Sequence, residues 1–336
     1  MIGIWDCRNS FPAVKFIRMN YRNIISESWN YTQSKKKLIF WFGFIPSIFT
    51  TTVGAGYIAY QFLAFRGSYL FSDEETNFFF DIALLIWEFL KDHISWTVPL
   101  IIITVLFLLF YLLYPTLAKA AAIQVISRNR TGQKDAGPGT GLRHGLFSFL
   151  PLFEYHLLIK TFSFFSVLIQ MSFVIRNLGP SMFQAFLPLY ILIMIIGLIL
   201  TLLFTYTDFF IVIDGKRVFS SIKASAKMVI LNWKCTVLIT ILMILIGVRI
   251  IIQVIMVFLI PFLVILLTGY IAAIALPVTG VIVGALSGFL VLLLAAYLNG
   301  VVDIFSFSVW TFTFLELSKE KDFSPRGDLC ETYYTD

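Results

Sequence analysis

SWTVPLIIITVLFLLFYLLYPTL, residues 95–117, contains no Asp, Glu, Lys, Arg or His. A run this long and apolar crosses a hydrocarbon core of about 30 Å as one helix, because lipid offers no partner to an unpaired backbone amide. The composition around it says the same of the whole chain. Of 336 residues, 59% are hydrophobic, 17% aromatic and only 13% charged, against about 25% charged in an ordinary soluble domain. A soluble fold could not cover its surface with so few polar groups. The chain therefore reads as all-α, a polytopic transmembrane helical bundle with interfacial amphipathic helices.

Upstream of that run, a first span is expected from Leu38 to Phe65, where Lys35, Lys36 and Lys37 lead into Phe40, Trp41 and Phe42. Cations, then aromatics, then aliphatics mark a membrane interface. Downstream, further spans are expected at His156 to Ile175, Leu187 to Tyr206 and Trp233 to Ile260. Beyond Pro261 the sequence stays apolar to Phe314, too long for one crossing, with Pro261, Gly269 and Pro277 to Gly280 as places to break it. If residues 262–277 enter and leave on one side there are six spans; if they cross, seven.

Basic residues set the orientation. The N-terminal segment carries Arg8, Lys15, Arg18, Arg22 and Lys35 to Lys37 against Asp6 and Glu27, and is expected inside. The acidic loop Arg66 to His93 is expected outside, and the basic loops Ala118 to Tyr155 and Asp208 to Lys234 inside. The expected division is a cytoplasmic amphipathic segment over residues 1–37, a transmembrane domain over 38–317 and a polar tail over 318–336. Charge at the ends of spans answers to headgroups and topology, so the net charge of +6 does not point to nucleic acid. Residues 1–37 lack the apolar core and small-residue site of a cleaved signal peptide.

Two cytoplasmic stretches have the period of helices lying in the interface. In Lys216 to Leu231, the residues Val218, Phe219, Ile222 and Val229 fall on one side, and Lys216, Lys223 and Lys227 on another, with Arg217 beside them. Val14 to Trp29 repeats the pattern through Ile17, Tyr21, Ile24 and Ile25.

Ionisable groups within spans are costly and need partners. Lys160 lies near the end of its span, where it can reach the interface. Arg249 and Asp303 lie deeper, about 22 Å and about 20 Å from the inner face at 1.5 Å per residue if there are six spans. Those matching depths predict an ion pair supported by Asn299 and Gln253, serving either as helix packing or as a transport site. Gly280, Gly284 and Gly288 share one helical stripe that would admit a neighbouring backbone or a second copy of the chain. The glycines of Thr131 to Gly145 lack the G-x-x-x-x-G-K-[ST] order of a phosphate loop and read as a flexible linker.

No metal site is expected from His93, His144 and His156, which are far apart and form no H-E-x-x-H. Cys7, Cys235 and Cys330 have no pairing or metal spacing. No nucleophile elbow or paired aspartate occurs, so catalytic residues and cofactors are not expected. One catalytic alternative remains, a lipid-headgroup enzyme in which Glu154, His156, Lys160 and Asp208 meet at the inner interface.

The stretch FFIVIDGKRVFSSIKASAKMVILNWK, residues 209–234, with a serine at Ser225, resembles the membrane domain attached to some bacterial glycerophosphodiester phosphodiesterases and its stand-alone relatives. The ending LVLLLAAYLNGVVDIFSFSVWTFTFLEL, residues 290–317, is similar to that family's last helix. The opening, Lys35 to Lys37 followed by LIFWFGF, is similar to related small bacterial membrane proteins. The likeness extends in layout from Ser34 to Leu317 and implies six spans and an inner-membrane protein of unassigned role. It carries over no catalytic residue, because no soluble segment could hold a barrel of about 250 residues. The functional expectation is binding or scaffolding, towards membrane lipids, a membrane-protein partner or a homo-oligomer. The alternatives are a transporter or permease subunit using the Arg249 and Asp303 region, and the headgroup enzyme.

Overall fold

The computed structural model describes residues 21–66, 87–88, 91, 94–132, 137–160, 164–248 and 277–322. Every regular element among them is helical. α1 (Tyr21–Ser34) precedes α2 (Lys36–Leu38), which runs through a π-helical turn (Ile39–Phe44) into α3 (Ile45–Arg66). Next come α4 (Ile94–Arg130), α5 (Pro138–Lys160) and α6 (Phe164–Leu203). α7 (Thr207–Val212), α8 (Val218–Leu231), α9 (Trp233–Val248) and α10 (Pro277–Asp322) complete the described elements.

Four of these stretches are long and apolar enough to cross a membrane: Lys36–Tyr57, Thr97–Arg130, Leu178–Leu203 and Gly288–Lys319. The pair α8 and α9, bent by 96°, makes a fifth if counted as one span. A multi-pass helical membrane protein is thus supported, with four or five spans among the described residues where six were expected. Residues 249–276, on which the choice between six and seven rested, lie outside the described residues, as does most of the acidic stretch before α4. The expected third span is represented by a shorter apolar helix, Ser166–Arg176. Gly179, with φ 83° and ψ 169°, then breaks α6 just before Pro180, a residue that cannot continue the preceding hydrogen-bond ladder. The break falls between the expected third and fourth spans.

Two expectations are corrected. The second span does not stop at Leu117: α4 continues to Arg130, and Ala118, Ala120 to Ile123, Val125 and Ile126 are buried. The alanines are strong helix formers with nothing to interrupt them before Gly132, and Lys119 gave a false loop boundary. The glycine-rich stretch is likewise not linker to its end. α5 opens at Pro138, a residue suited to a first helical position, and carries Gly141 and Gly145 against α4. A Cβ on Gly145 would lie 2.7 Å from the Ala121 backbone nitrogen, and one on Gly141 3.1 Å from the Ala121 oxygen. Small residues on both helices are what permit the approach.

α4 thereby divides in two. Val98 to Leu113 presents an exposed aliphatic surface suited to lipid, while the alanine-rich remainder enters a packed core. One cluster joins Phe42, Ala121, Ile304, Val309 and Phe312; the other joins Leu152, Tyr206, Phe210, Met228 and Phe314. Both involve the C-terminal parts of α4 and α10. α1 docks there by edge contacts of Trp29 on Phe305 and Tyr31 on Phe312, with ring centres 5.5 and 5.9 Å apart. α10 continues as helix past the expected tail boundary at residue 318 to Asp322.

Candidate functional site

Three polar groupings surround this packed end. The most buried is centred on Asp208 in the first turn of α7. Lys119 of α4 forms an ion pair with its Oδ2, and His156 Nε2 of α5 lies 3.4 Å from its Oδ1. Burial pushes the Asp208 carboxyl up, but the Lys119 ammonium and then His156 outweigh it and hold the group well below the usual carboxylate range. Beside it, burial and then Asp208 push the Tyr155 hydroxyl well above the usual phenol range. Tyr155 donates to the Phe204 carbonyl at 3.2 Å, and Gln124 donates to the Val212 carbonyl. The side chains of α4 and α5 therefore hold the α6–α7 connection. A carboxylate so firmly ionised is a poor proton acceptor near neutral pH, so Asp208 is not itself a general base.

This partly meets the headgroup-enzyme expectation. His156 and Asp208 come together, Glu154 is exposed, and the Lys160 side chain is outside what is described. Lys119 was missed because it was assigned to a loop. Its signal was the unbroken helix-forming run AKAAAIQVI around it. Among the described residues no three His, Cys, Asp or Glu side chains come close enough to share a metal.

The second grouping lies where α10 crosses the start of α3. Ser47 Oγ donates to Asp303 Oδ2 at 3.3 Å, and Asn299 Nδ2 to Thr51 Oγ1 at 3.1 Å. Both expected polar residues of the last span thus bond hydroxyls of the first. Arg249 and Gln253 lie outside the described residues, so the Arg249 to Asp303 ion pair stays an expectation. Gly288 of the expected stripe has nothing within 4 Å among the described residues, and a close glycine approach is found at another place, where Gly300 meets Gly43. Gly280 and Gly284 belong to the first turns of α10.

The third grouping is an open cleft of about 400 Å³ lined by Glu27, Tyr31, Asn129, Arg130 and Phe312. Arg130 forms ion pairs with Glu27 and, at 3.3 Å, with Glu316, and its guanidinium lies 4.5 Å from the Phe312 ring centre. Asn129 Nδ2 donates to Tyr31 Oη at 2.8 Å. No sequence pattern associates these residues, which are scattered over three helices.

The cationic residues named in the sequence lie on or before α8. Arg217, Lys223 and Lys227 are exposed, and Lys216 is 2.9 Å from Asp214 while its ammonium covers the Phe210 ring. On the opposite side Val218, Ser221, Ser225, Met228 and Val229 are buried. Ser225 Oγ accepts from the Tyr206 amide at 3.1 Å and donates to the Leu203 carbonyl at 2.9 Å, which ties α8 to the end of α6. Of the apolar side expected to rest in the interface, Val218 and Val229 are buried in the protein and Phe219 is 70% exposed. Ile230, Leu231 and Trp233 are exposed with it.

Compared with known proteins, the chain matches no family model, no curated protein and no solved structure.

Proposed function

We propose that this is a bacterial inner-membrane protein, N-terminus cytoplasmic, that binds membrane lipid and scaffolds a membrane complex rather than catalysing a reaction. The observation that carries the reading is the geometry of α8. It bends by 96° into α9 at Asn232, presents Arg217, Lys223 and Lys227, and leaves Phe219, Ile230 and Trp233 uncovered. An interfacial helix with exposed cations and exposed large apolar side chains suits an anionic leaflet, where each nearby Lys or Arg adds about 1 kcal/mol.

The test is lipid retention. The protein is released from bilayers of equal phosphatidylglycerol and phosphatidylcholine and weighed with its bound lipids by native mass spectrometry. Phosphatidylglycerol is expected in excess, and the Lys223→Gln/Lys227→Gln variant is expected to lose that excess. Equal retention of both lipids by the unaltered protein would overturn the reading.

A transporter is the second reading, favoured by the carboxylate of Asp303 within the candidate span Gly288–Lys319. Its test is dye-reported proton flux into liposomes under an imposed potential. Flux in the unaltered protein that Asp303→Asn abolishes would favour it, and the absence of flux would remove it.

A further inference from the structure

We propose that the cleft between α1, α4 and α10 binds an ammonium–phosphate zwitterion of the aminoethyl phosphate type. The inference rests on the lipid-binding reading but on a different site from α8. Its first support is position: α4 and α10, which carry the candidate spans Thr97–Arg130 and Gly288–Lys319, bring their C-terminal parts together at this cleft.

Its second support is the chemistry of the lining. Arg130 shares one guanidinium between two carboxylates, and both remain open, Glu27 at 51% and Glu316 at 38% exposure. Lys319, 3.8 Å from Glu316 and 66% exposed, adds only a weakly held, screened charge. Two carboxylates around one partly buried cation therefore keep unused acceptor capacity, which suits a primary ammonium. The anion donors are adjacent. Arg130 has N–H groups beyond those given to Glu27 and Glu316, Asn129 has the second hydrogen of its amide, and Tyr31 accepts from Asn129 and so has its own O–H to give. Glu27 as acceptor for an ammonium and Tyr31, Asn129 and Arg130 as donors for a phosphate thus line one opening of about 400 Å³, with Glu316 held beside it by Arg130. A quaternary ammonium could not donate to the carboxylates, and a glycerol headgroup offers them no cation.

The test measures binding to the detergent-solubilised full chain. The probes are dihexanoyl phosphatidylethanolamine, phosphatidylcholine and phosphatidylglycerol, with soluble O-phosphoethanolamine as competitor. The ethanolamine lipid is expected to bind at least about tenfold tighter than the other two. Competition by O-phosphoethanolamine at similar concentration would identify the free small molecule as the source, and its failure to compete would identify the lipid headgroup.

Glu27→Gln is expected to remove the preference for ethanolamine over choline. Tyr31→Phe, which keeps the ring packed on Phe312, is expected to weaken all phosphate-bearing probes. Tyr31→Phe guards against loss of the α1 contact in Glu27→Gln, and thermal unfolding of each variant reports whether it folds. Equal binding of the three lipids, or a preference that survives in a folded Glu27→Gln, would overturn the proposal. The Lys223→Gln/Lys227→Gln variant is expected to keep the ethanolamine preference, so the two lipid sites can fail separately.

Discussion

Gly43 and Gly300 stand backbone to backbone: a Cβ on Gly43 would lie 2.8 Å from the Gly300 carbonyl carbon, and one on Gly300 2.5 Å from the Phe44 nitrogen. No flexible side chain lies between them to yield. The π-helical turn over Ile39–Phe44 brings this backbone against α10, and the crossing sets Ser47 opposite Asp303 and Thr51 opposite Asn299. Gly300→Ala must therefore separate the helices, at about 1 to 3 kcal/mol. A clear fall in the detergent unfolding temperature is expected for Gly300→Ala and Gly43→Ala. Gly288→Ala, with nothing within 4 Å, is the matched control, and an equal fall there would defeat the assignment.

The Lys119 to Asp208 pair gives the second prediction. Removing one partner leaves a poorly solvated charge, so Lys119→Met is expected to cost about 3 kcal/mol, and Lys119→Met/Asp208→Asn less than the two single losses added together. The pH dependence follows from the depressed Asp208 carboxyl. The unfolded chain takes up the proton first, so the stabilisation is complete above the ordinary carboxyl value of 3.8 and is lost as pH falls through the lower folded value. Asp208→Asn should flatten the fall in unfolding temperature between about pH 5 and pH 3. An unchanged slope would place the acid sensitivity in other groups.

The long apolar helices were legible in the sequence because lipid imposes long apolar runs. The runs around Ile101 and Ile191 could hardly mean anything else, and the amphipathic period of Lys216 to Leu231 located α8. What escaped was the continuation of helices beyond the hydrocarbon. There hydropathy falls while helix propensity does not, so Lys119 looked like the start of a loop and Gly141 looked like linker. The Arg130 cleft was illegible for a different reason. Its residues come from three helices distant in sequence, and each is an ordinary polar, charged or aromatic residue until packing brings them together. Ser225 was noticed only through a resemblance, which supplied no role for it.

Packing supplies that role and a third prediction. The Ser225 hydroxyl pairs with two backbone groups at the α6–α7 connection, the Leu203 carbonyl and the Tyr206 amide. Ser225→Ala leaves both without that partner in a buried place, for a cost of about 1 to 3 kcal/mol. Protection of the Tyr206 amide from hydrogen–deuterium exchange is expected, and Ser225→Ala should abolish it while the Thr207 amide, bonded to the Phe204 carbonyl at 3.0 Å, keeps its own. Ser220, exposed on the same helix, should tolerate alanine. Equal effects at the two serines would mean that the hydroxyl does not hold the connection.

The glycines of α5 separate two physical effects along one helix. A Cβ on Gly139 would meet nothing within 4 Å, whereas one on Gly145 faces the Ala121 backbone at 2.7 Å. Both positions lie in α5, where alanine gains up to about 1 kcal/mol over glycine from helix propensity alone. Gly139→Ala should therefore be neutral or raise the unfolding temperature. Gly145→Ala carries the same propensity gain but must displace α5 from the alanine face of α4, and a net loss of about 1 kcal/mol or more is expected. Because α5 also carries His156 and α4 carries Lys119, the displacement should loosen the groups held against Asp208. A carboxyl less strongly held returns towards its unfolded value, so Gly145→Ala should flatten the acid loss in the same direction as Asp208→Asn, though less completely. Parallel behaviour of the two glycine variants would mean that the close α4–α5 approach is not what positions the buried charges.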